Sequence, residues 1–396
     1  MQMADLLWKF HSKKELGESR KQAVARLISM ENKFKSNNKL KEEYNKFIKE
    51  YIDLGHMRKV DENQKGKYYL PHQAVIKENN ITTKLRVVFD ASAKASNGRS
   101  LNDIMCTGPK LQGDIFDIIL KWRLWEIVIT ADVEKMFRQI KIAKKDQEYH
   151  RIVWRENNMQ KMDEYELTTV TYGTASASYL AVRKLIEIAN KCPNKKLQKI
   201  IKEDFYMDDL MTGADSVQEF GFHLRKWLSN HNSITENISN TGDNEIIQIK
   251  ENEAVKTLGL HWDPQKGQFQ FKINIKNSKS ITKRSVLSQL AQIFDPLGWL
   301  SPIIVVAKLY IQKLWSLQSS WDNLLSEDLQ KEWMQFIENL NLIENVRIPR
   351  WIGTYMDSQI QIHGFCDASE RAYAAVIYIK KGTMLNFQQQ KQKQTR

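Results

Sequence analysis

Apolar positions recur at helical spacing near the start of the chain, at Val24, Leu27 and Ile28 and then at Tyr44, Phe47, Ile48 and Tyr51, within a Lys/Glu background. This pattern predicts helix through about residue 55. From Lys67 the period shortens, and KYYLPHQAVI and TKLRVVFDAS read as strands separated by polar turns. NGRSLND supplies a loop, and GDIFDIILKWRLW returns to a helical period. EIVITADV is a β-branched apolar run that ends on an acid, followed by the short turn or helix EKMFRQIKI. RIVWRE and YELTTVTYG are further strands, and ASASYLAVRKLIEIANK is a helix. FYMDDLMTG reads as two short strands around a tight acidic turn. FGFHLRKWLSNH has the spacing of an amphipathic helix, and AVKTLGLHWDPQKGQFQFKINI that of a hairpin turning at PQKG. Residues 281–345 are helix-rich, and IQIHGFCDASERAYAAVIYIK has strand character. The final KKGTMLNFQQQKQKQTR loses that pattern and reads as a disordered polar tail.

Composition bounds this picture without deciding it. A chain of 396 residues, 42% hydrophobic and 27% charged, is long enough for two or three domains with substantial cores. The 60 Lys+Arg against 47 Asp+Glu give a net charge of +13, which favours a polyanionic partner such as nucleic acid. Cys106, Cys192 and Cys366 are too scattered for a zinc site or a disulfide framework. No signal peptide or transmembrane run is evident, so the expectation is a soluble chain in the cytoplasm, with no membrane partner.

The acids carry the candidate chemistry. Asp208 and Asp209 sit at a hairpin tip, and Asp132 ends another apolar strand. If both strands join one sheet, three carboxylates converge. Such a cluster is unfavourable without hard cations, and oxygen ligands suit Mg²⁺. Two ions roughly 4 Å apart can activate a 3′-hydroxyl and stabilise a leaving pyrophosphate. Turn-forming aspartates capping separate strands remain the alternative on placement alone.

KLRVVFDAS, TADVEKMF, VTYGTASASYLA, YMDDLMTGADS, FHLRKWLSN, KTLGLHWDP and LAQIFDPLGWLSP, in this order, resemble the reverse transcriptase of BEL/Pao long-terminal-repeat retrotransposons, over roughly Tyr69 to Tyr378. The resemblance implies an α+β, right-hand-like polymerase fold. Its parts are an N-terminal helical segment (1–60), fingers (61–130), a palm on an antiparallel sheet (131–240), a primer-grip hairpin with helical thumb or connection (241–350), and an incomplete ribonuclease H-like piece (351–396). It implies RNA-directed DNA polymerisation with RNA template, DNA primer and dNTPs as partners, and two Mg²⁺ ions, Mn²⁺ being a possible substitute. Other parts of the retroelement polyprotein, and virus-like particles, belong to the same expectation, and the alternative is an inactive or truncated remnant that only binds nucleic acid.

By the same resemblance Asp132, Asp208 and Asp209 are the metal ligands, and Lys226 is the proton donor to pyrophosphate or else a solvated helix lysine. Phe137 screens the sugar 2′ position, a plain core aromatic being the alternative. Lys84 and Arg86 grip the triphosphate, Arg86 being favoured because a guanidinium matches phosphate oxygens. Tyr172 and Gly173 approach the nucleotide sugar. Ala177-Ser178 departs from the Ser-Pro of relatives, which implies an altered start to the following helix. Gly259, His261 and Trp262 hold the primer end, unless Trp262 is a buried core residue. Asp367 corresponds to the first ribonuclease H acid, but its later partner acids are not found, so neither ribonuclease H nor aspartic protease activity is expected. No Asp-Thr-Gly or Asp-Ser-Gly occurs. The stretch reads as a fragment of a larger element.

Overall fold

A computed structural model describes residues 4–9, 16–61, 64–76, 85–213, 224–231, 254–273, 275, 280–354, 359–381 and 384–394. The first strands are β1 (Met57–Lys59), β2 (His72–Ile76), β3 (Leu85–Phe89), β4 (Val128–Val133), β5 (Arg151–Trp154) and β6 (Asp163–Leu167). Then come β7 (Phe205–Tyr206), β8 (Asp209–Gly213), β9 (Leu224–Ser229), β10 (Val255–Thr257), β11 (Leu260–Asp263) and β12 (Gln268–Gln270). The last are β13 (Arg347–Pro349), β14 (Ile360–Ala368), β15 (Ala372–Lys381) and β16 (Met384–Gln394). The helices are α1 (Arg20–Ser36), α2 (Asn38–Asp53), α3 (Leu101–Ile104), α4 (Ile115–Leu124) and α5 (Lys144–Gln147). They continue with α6 (Ala177–Lys191), α7 (Lys195–Glu203), α8 (Lys283–Leu290), α9 (Ser301–Trp315) and α10 (Glu327–Leu340). All strand pairings within these sheets are antiparallel, so the class is α+β.

The chain divides into two compact units. One comprises residues 1–112 and 134–202. It holds the β2–β3 hairpin and the sheet β1-β6-β5, with α1 and α2 laid on them. Burial explains the helices: Tyr44, Ile48 and Tyr51 form one face of α2, and all are enclosed. Tyr44 stacks on Trp154 and hydrogen-bonds the buried His72. The 3₁₀ turn Met136–Gln139 and α6 belong to this unit too. Helix α6 starts at Ala177 after Ser176, whose side chain makes no capping bond.

The second unit comprises residues 113–133 and 203–396. Its central sheet runs β7-β8-β4-β9, and a second runs β10-β11-β12-β13. Trp122 from α4, Trp262 from β11, Phe269 from β12 and Trp299 share one apolar core with Val128 and Met211. The buried guanidinium of Arg350 closes the end of α4, donating to the carbonyls of Trp122 (2.9 Å), Trp125 (2.7 Å) and Glu126 (2.6 Å). Thr354 donates to Leu124 O at 2.8 Å, so the turn from α4 into β4 is held from residues 350–354.

Two sequence expectations are corrected. LRKWLS is strand β9, not helix, and pairs with β4. The segment before it, residues 214–223, lies outside the described residues. The polar tail read as disordered forms β16, paired with β15 from Lys381↔Met384 to Ala372↔Gln394. Its order follows from backbone pairing, which does not require apolar alternation. The PQKG turn is found between β11 and β12, where Asp263 pairs with Gln268.

Candidate functional site

Strand β4 is hydrophobic because it is the inner strand of its sheet, flanked by β8 and β9, and Val128, Ile129 and Ala131 are buried. Its acid Asp132 stands directly opposite Asp209 of β8. Facing side chains on an antiparallel pair are roughly 5 Å apart at Cβ. Asp208 lies in the two-residue turn from β7 to β8, and its carbonyl accepts the N–H of Val133 at 2.8 Å. Met207, the other turn residue, has φ 57, the sign that tight two-residue hairpins demand. The turn is thus tied to the end of β4 by backbone, which fixes the acids independently of their side chains.

The electrostatics follow from that geometry. Burial, then the carboxylates of Asp208 and Asp132, push Asp209 up to about 7, with Lys226 opposing. Lys226 reaches Asp132 Oδ2 with its Nζ at 2.6 Å. It does so from a β-bulge: Thr130 pairs with Leu228 but Asp132 with Arg225, leaving an extra residue on β9. Lys226 itself carries φ 56. Bulges of this kind re-aim a side chain. Among the described residues no three His, Cys, Asp or Glu side chains converge tightly enough to hold an ion. Asp132 is instead engaged by Lys226.

The candidates on the other unit form a separate group. Phe137 is buried, its ring centroid 4.8 Å from that of Tyr172, whose ring is half-exposed. Gly173 has φ 94, and a Cβ there would lie 2.4 Å from Phe89 O at the end of β3. Only glycine fits this approach. Asn102 spans the turn, donating to Gly173 O and accepting from Ala175 N, both at 2.8 Å. Sequence reading assigned NGRSLND to a loop and missed this clamp; the asparagine beside the α3 capping box was its only local signal. Arg86 is exposed on β3, and Lys84 lies outside the described residues.

Leu258 and Gly259, with φ 45 and 87, form the two-residue turn between β10 and β11. His261 faces Lys256 across the hairpin, and burial, then Lys272 and Lys256, hold its pKa below the usual histidine range. Trp262 is fully enclosed, 4.7 Å and edge-on to Trp122. No ring face is left for a nucleic-acid backbone, so its expected stacking role gives way to a core role. Asp367 is exposed on β14 opposite Ala374, and its Oδ1 accepts from Ala368 N at 2.9 Å.

Comparison with known proteins bears on the fold. Residues 282–394 match a family model described as the Pao retrotransposon-like RNaseH-like domain. The match begins well before residue 351, in the stretch read from sequence as thumb or connection. Among solved structures, the chain resembles the foamy viral protease-reverse transcriptase in complex with RNA/DNA hybrid, with a TM-score of 0.53 at 16% identity. That likeness covers 91% of this chain and 43% of the other, so the chain spans less than half of that protein's length. No curated protein sequence matches. In fold, then, the chain is similar to that reverse transcriptase-containing protein. Residues 282–394 are similar to the RNaseH-like domain of Pao retrotransposons. No helix among the described residues is long and apolar enough to cross a membrane.

Proposed function

We propose that the chain is an RNA-directed DNA polymerase that adds dNTPs to a primer 3′-hydroxyl. The carrying observation is Asp132 facing Asp209 across two paired strands with Asp208 in the adjoining turn. An acid pushed up to about 7 by burial and two neighbouring carboxylates, against the smaller opposing pull of Lys226, fits hard divalent cations such as Mg²⁺ or Mn²⁺. Asp132, Asp208 and Asp209 are the residues that would hold them. When bound, two such ions supply Lewis-acid activation of the attacking hydroxyl and neutralise charge on the phosphates. Lys226 holds a proton at Nζ within the acid group and is the donor to pyrophosphate. Arg86 binds triphosphate oxygens, with Lys84 as its companion in the sequence. Phe137, backed by Tyr172 over the Gly173 turn, excludes a 2′-hydroxyl. Gly259 and His261 present the hairpin that holds a primer end. RNA template and DNA primer are the partners of this reading.

Ribonuclease H cleavage is not part of this reading, although residues 282–394 match an RNaseH-like domain model. A second reading, nucleic-acid binding without synthesis, draws on the engagement of Asp132 by Lys226 and on the net charge of +13. Primer extension on an RNA template by the purified chain, beside Asp208→Asn, separates the two. Extension lost in the variant supports polymerisation. Salt-sensitive binding without extension supports the second reading.

A further inference from the structure

Helix α2 contributes no atom to the proposed chemistry, yet it is ion-paired to the turn that presents Phe137. Glu50 on α2 accepts from Arg138 Nη1 at 2.9 Å and pairs with Lys135 Nζ at 2.7 Å. These two cations bracket Phe137 in the chain, and Lys135 holds φ 48 at the start of the 3₁₀ turn. The Arg138 guanidinium also lies over two rings of α2, 4.1 Å from the centroid of Tyr51 and 5.1 Å from that of Phe47. Its side chain is only 10% exposed, so solvent does little to hold its charge in place. A cation enclosed in this way depends on its carboxylate and on the ring faces for position. Burial pushes the Glu50 carboxyl up, but Lys135 and Arg138 outweigh it and hold it below the usual range. The turn has no side-chain cap of its own. Gln139 Nε2 donates to Glu134 O across the turn, and Glu50 adds a hold from outside through Lys135 and Arg138.

Discrimination between a 2′-hydrogen and a 2′-hydroxyl by an aromatic wall is steric. Shifts of roughly an ångström decide whether the oxygen is accommodated. We propose that Glu50 is a positioning residue for sugar selection: through Arg138 and Lys135 it sets the seat of Phe137 against Tyr172. This rests on the reading of Phe137 as the sugar-screening residue. The N-terminal helical segment then acts in substrate specificity rather than as a passive cover.

The test is incorporation of a dNTP and its matching rNTP by wild type, Phe137→Ala, Glu50→Gln and Glu50→Asp, compared as the ratio of kcat/KM values. Glu50→Gln is expected to lower discrimination roughly tenfold, the low end for one pocket contact, chiefly through a lower KM for the rNTP. Glu50→Asp is expected to recover part of it, because the carboxylate is retained. A ratio unchanged in Glu50→Gln, with discrimination lost in Phe137→Ala, overturns the proposal and spares the sugar reading. Unchanged discrimination in Phe137→Ala overturns that reading and the proposal with it. Should Glu50→Gln fail to fold, Arg138→Lys keeps the charge and loses the planar stack. An intermediate loss of discrimination supports the proposal, and a wild-type ratio overturns it.

Discussion

The ammonium of Lys226 lies 2.6 Å from Oδ2 of Asp132, delivered there by a bulge residue with φ 56. A lysine in left-handed backbone is strained, and here the strain coincides with contact to the candidate site. Lys226→Met should reduce the rate of nucleotide incorporation on the order of 10²-fold, the range for loss of a positioned general acid. Lys226→Arg should retain part of the rate. Single-turnover incorporation checks this, and a Met variant at wild-type rate removes Lys226 from the chemistry.

Gly173 gives a prediction on stability. Alanine there meets Phe89 O at 2.4 Å and must also hold φ 94. Strain and overpacking together should cost roughly 2–4 kcal/mol. Gly98→Ala, with φ 77 but nothing within 4 Å, should cost only about 1 kcal/mol. Urea denaturation of both variants measures the difference, and equal losses would remove the close-approach argument.

Acid sensitivity follows from two enclosed imidazoles. Burial lowers both His72 and His150 to about 4, with small opposing contributions from the Val153 carbonyl and from Asp146 respectively. His72 is held neutral by geometry, donating from Nε2 to Val153 O at 3.0 Å while Nδ1 accepts from Tyr44. The unfolded chain binds these protons near pH 6.5 and the folded chain only near 4, so folding is unaffected above about 6.5 and is progressively lost as pH falls toward 4. Each histidine contributes on the order of 3 kcal/mol to that loss. Urea midpoints between pH 7 and 4.5 should fall steeply, and His72→Gln should flatten the slope. A flat profile in wild type would contradict the burial argument.

Arg350 offers a test of how the strand bearing Asp132 is held. Replacing a buried ion by an apolar residue is often neutral, but Arg350→Met removes the donor to three carbonyls, and among the described residues only Glu126 O keeps a partner, Asn230 Nδ2 at 2.9 Å. The carbonyl loss should win, at roughly 3–5 kcal/mol. Arg350→Lys should recover less than half, because one ammonium cannot span three acceptors. Equilibrium unfolding reads both, and a Met variant as stable as wild type would show that the contacts carry no net weight.

Much of the central sheet was legible because its signals are local. The apolar run into Asp132 and the acidic turn at Met207-Asp208 announce β4 and the β7–β8 hairpin from neighbouring residues alone. Strand β9 was not legible, since Leu224, Trp227 and Leu228 mimic helical spacing. The bulge at Lys226 is what buries Trp227 and Leu228 in succession, and a bulge leaves no mark on period. Trp262 was ambiguous until its neighbour Trp122 was known. The link from Glu50 to Arg138 spans 88 residues, and that from Arg350 to Trp122 spans 228. Neither side chain differs in sequence from an ordinary solvated charge.

The central claim is that Asp132, Asp208 and Asp209 form a working polymerase centre. Its most direct measure is single-nucleotide incorporation on a primed RNA template with Mg²⁺, in wild type and in Asp209→Asn. The account predicts addition of only the template-complementary dNTP by wild type and none by the variant. Equal incorporation by a well-folded Asp209→Asn protein would contradict it.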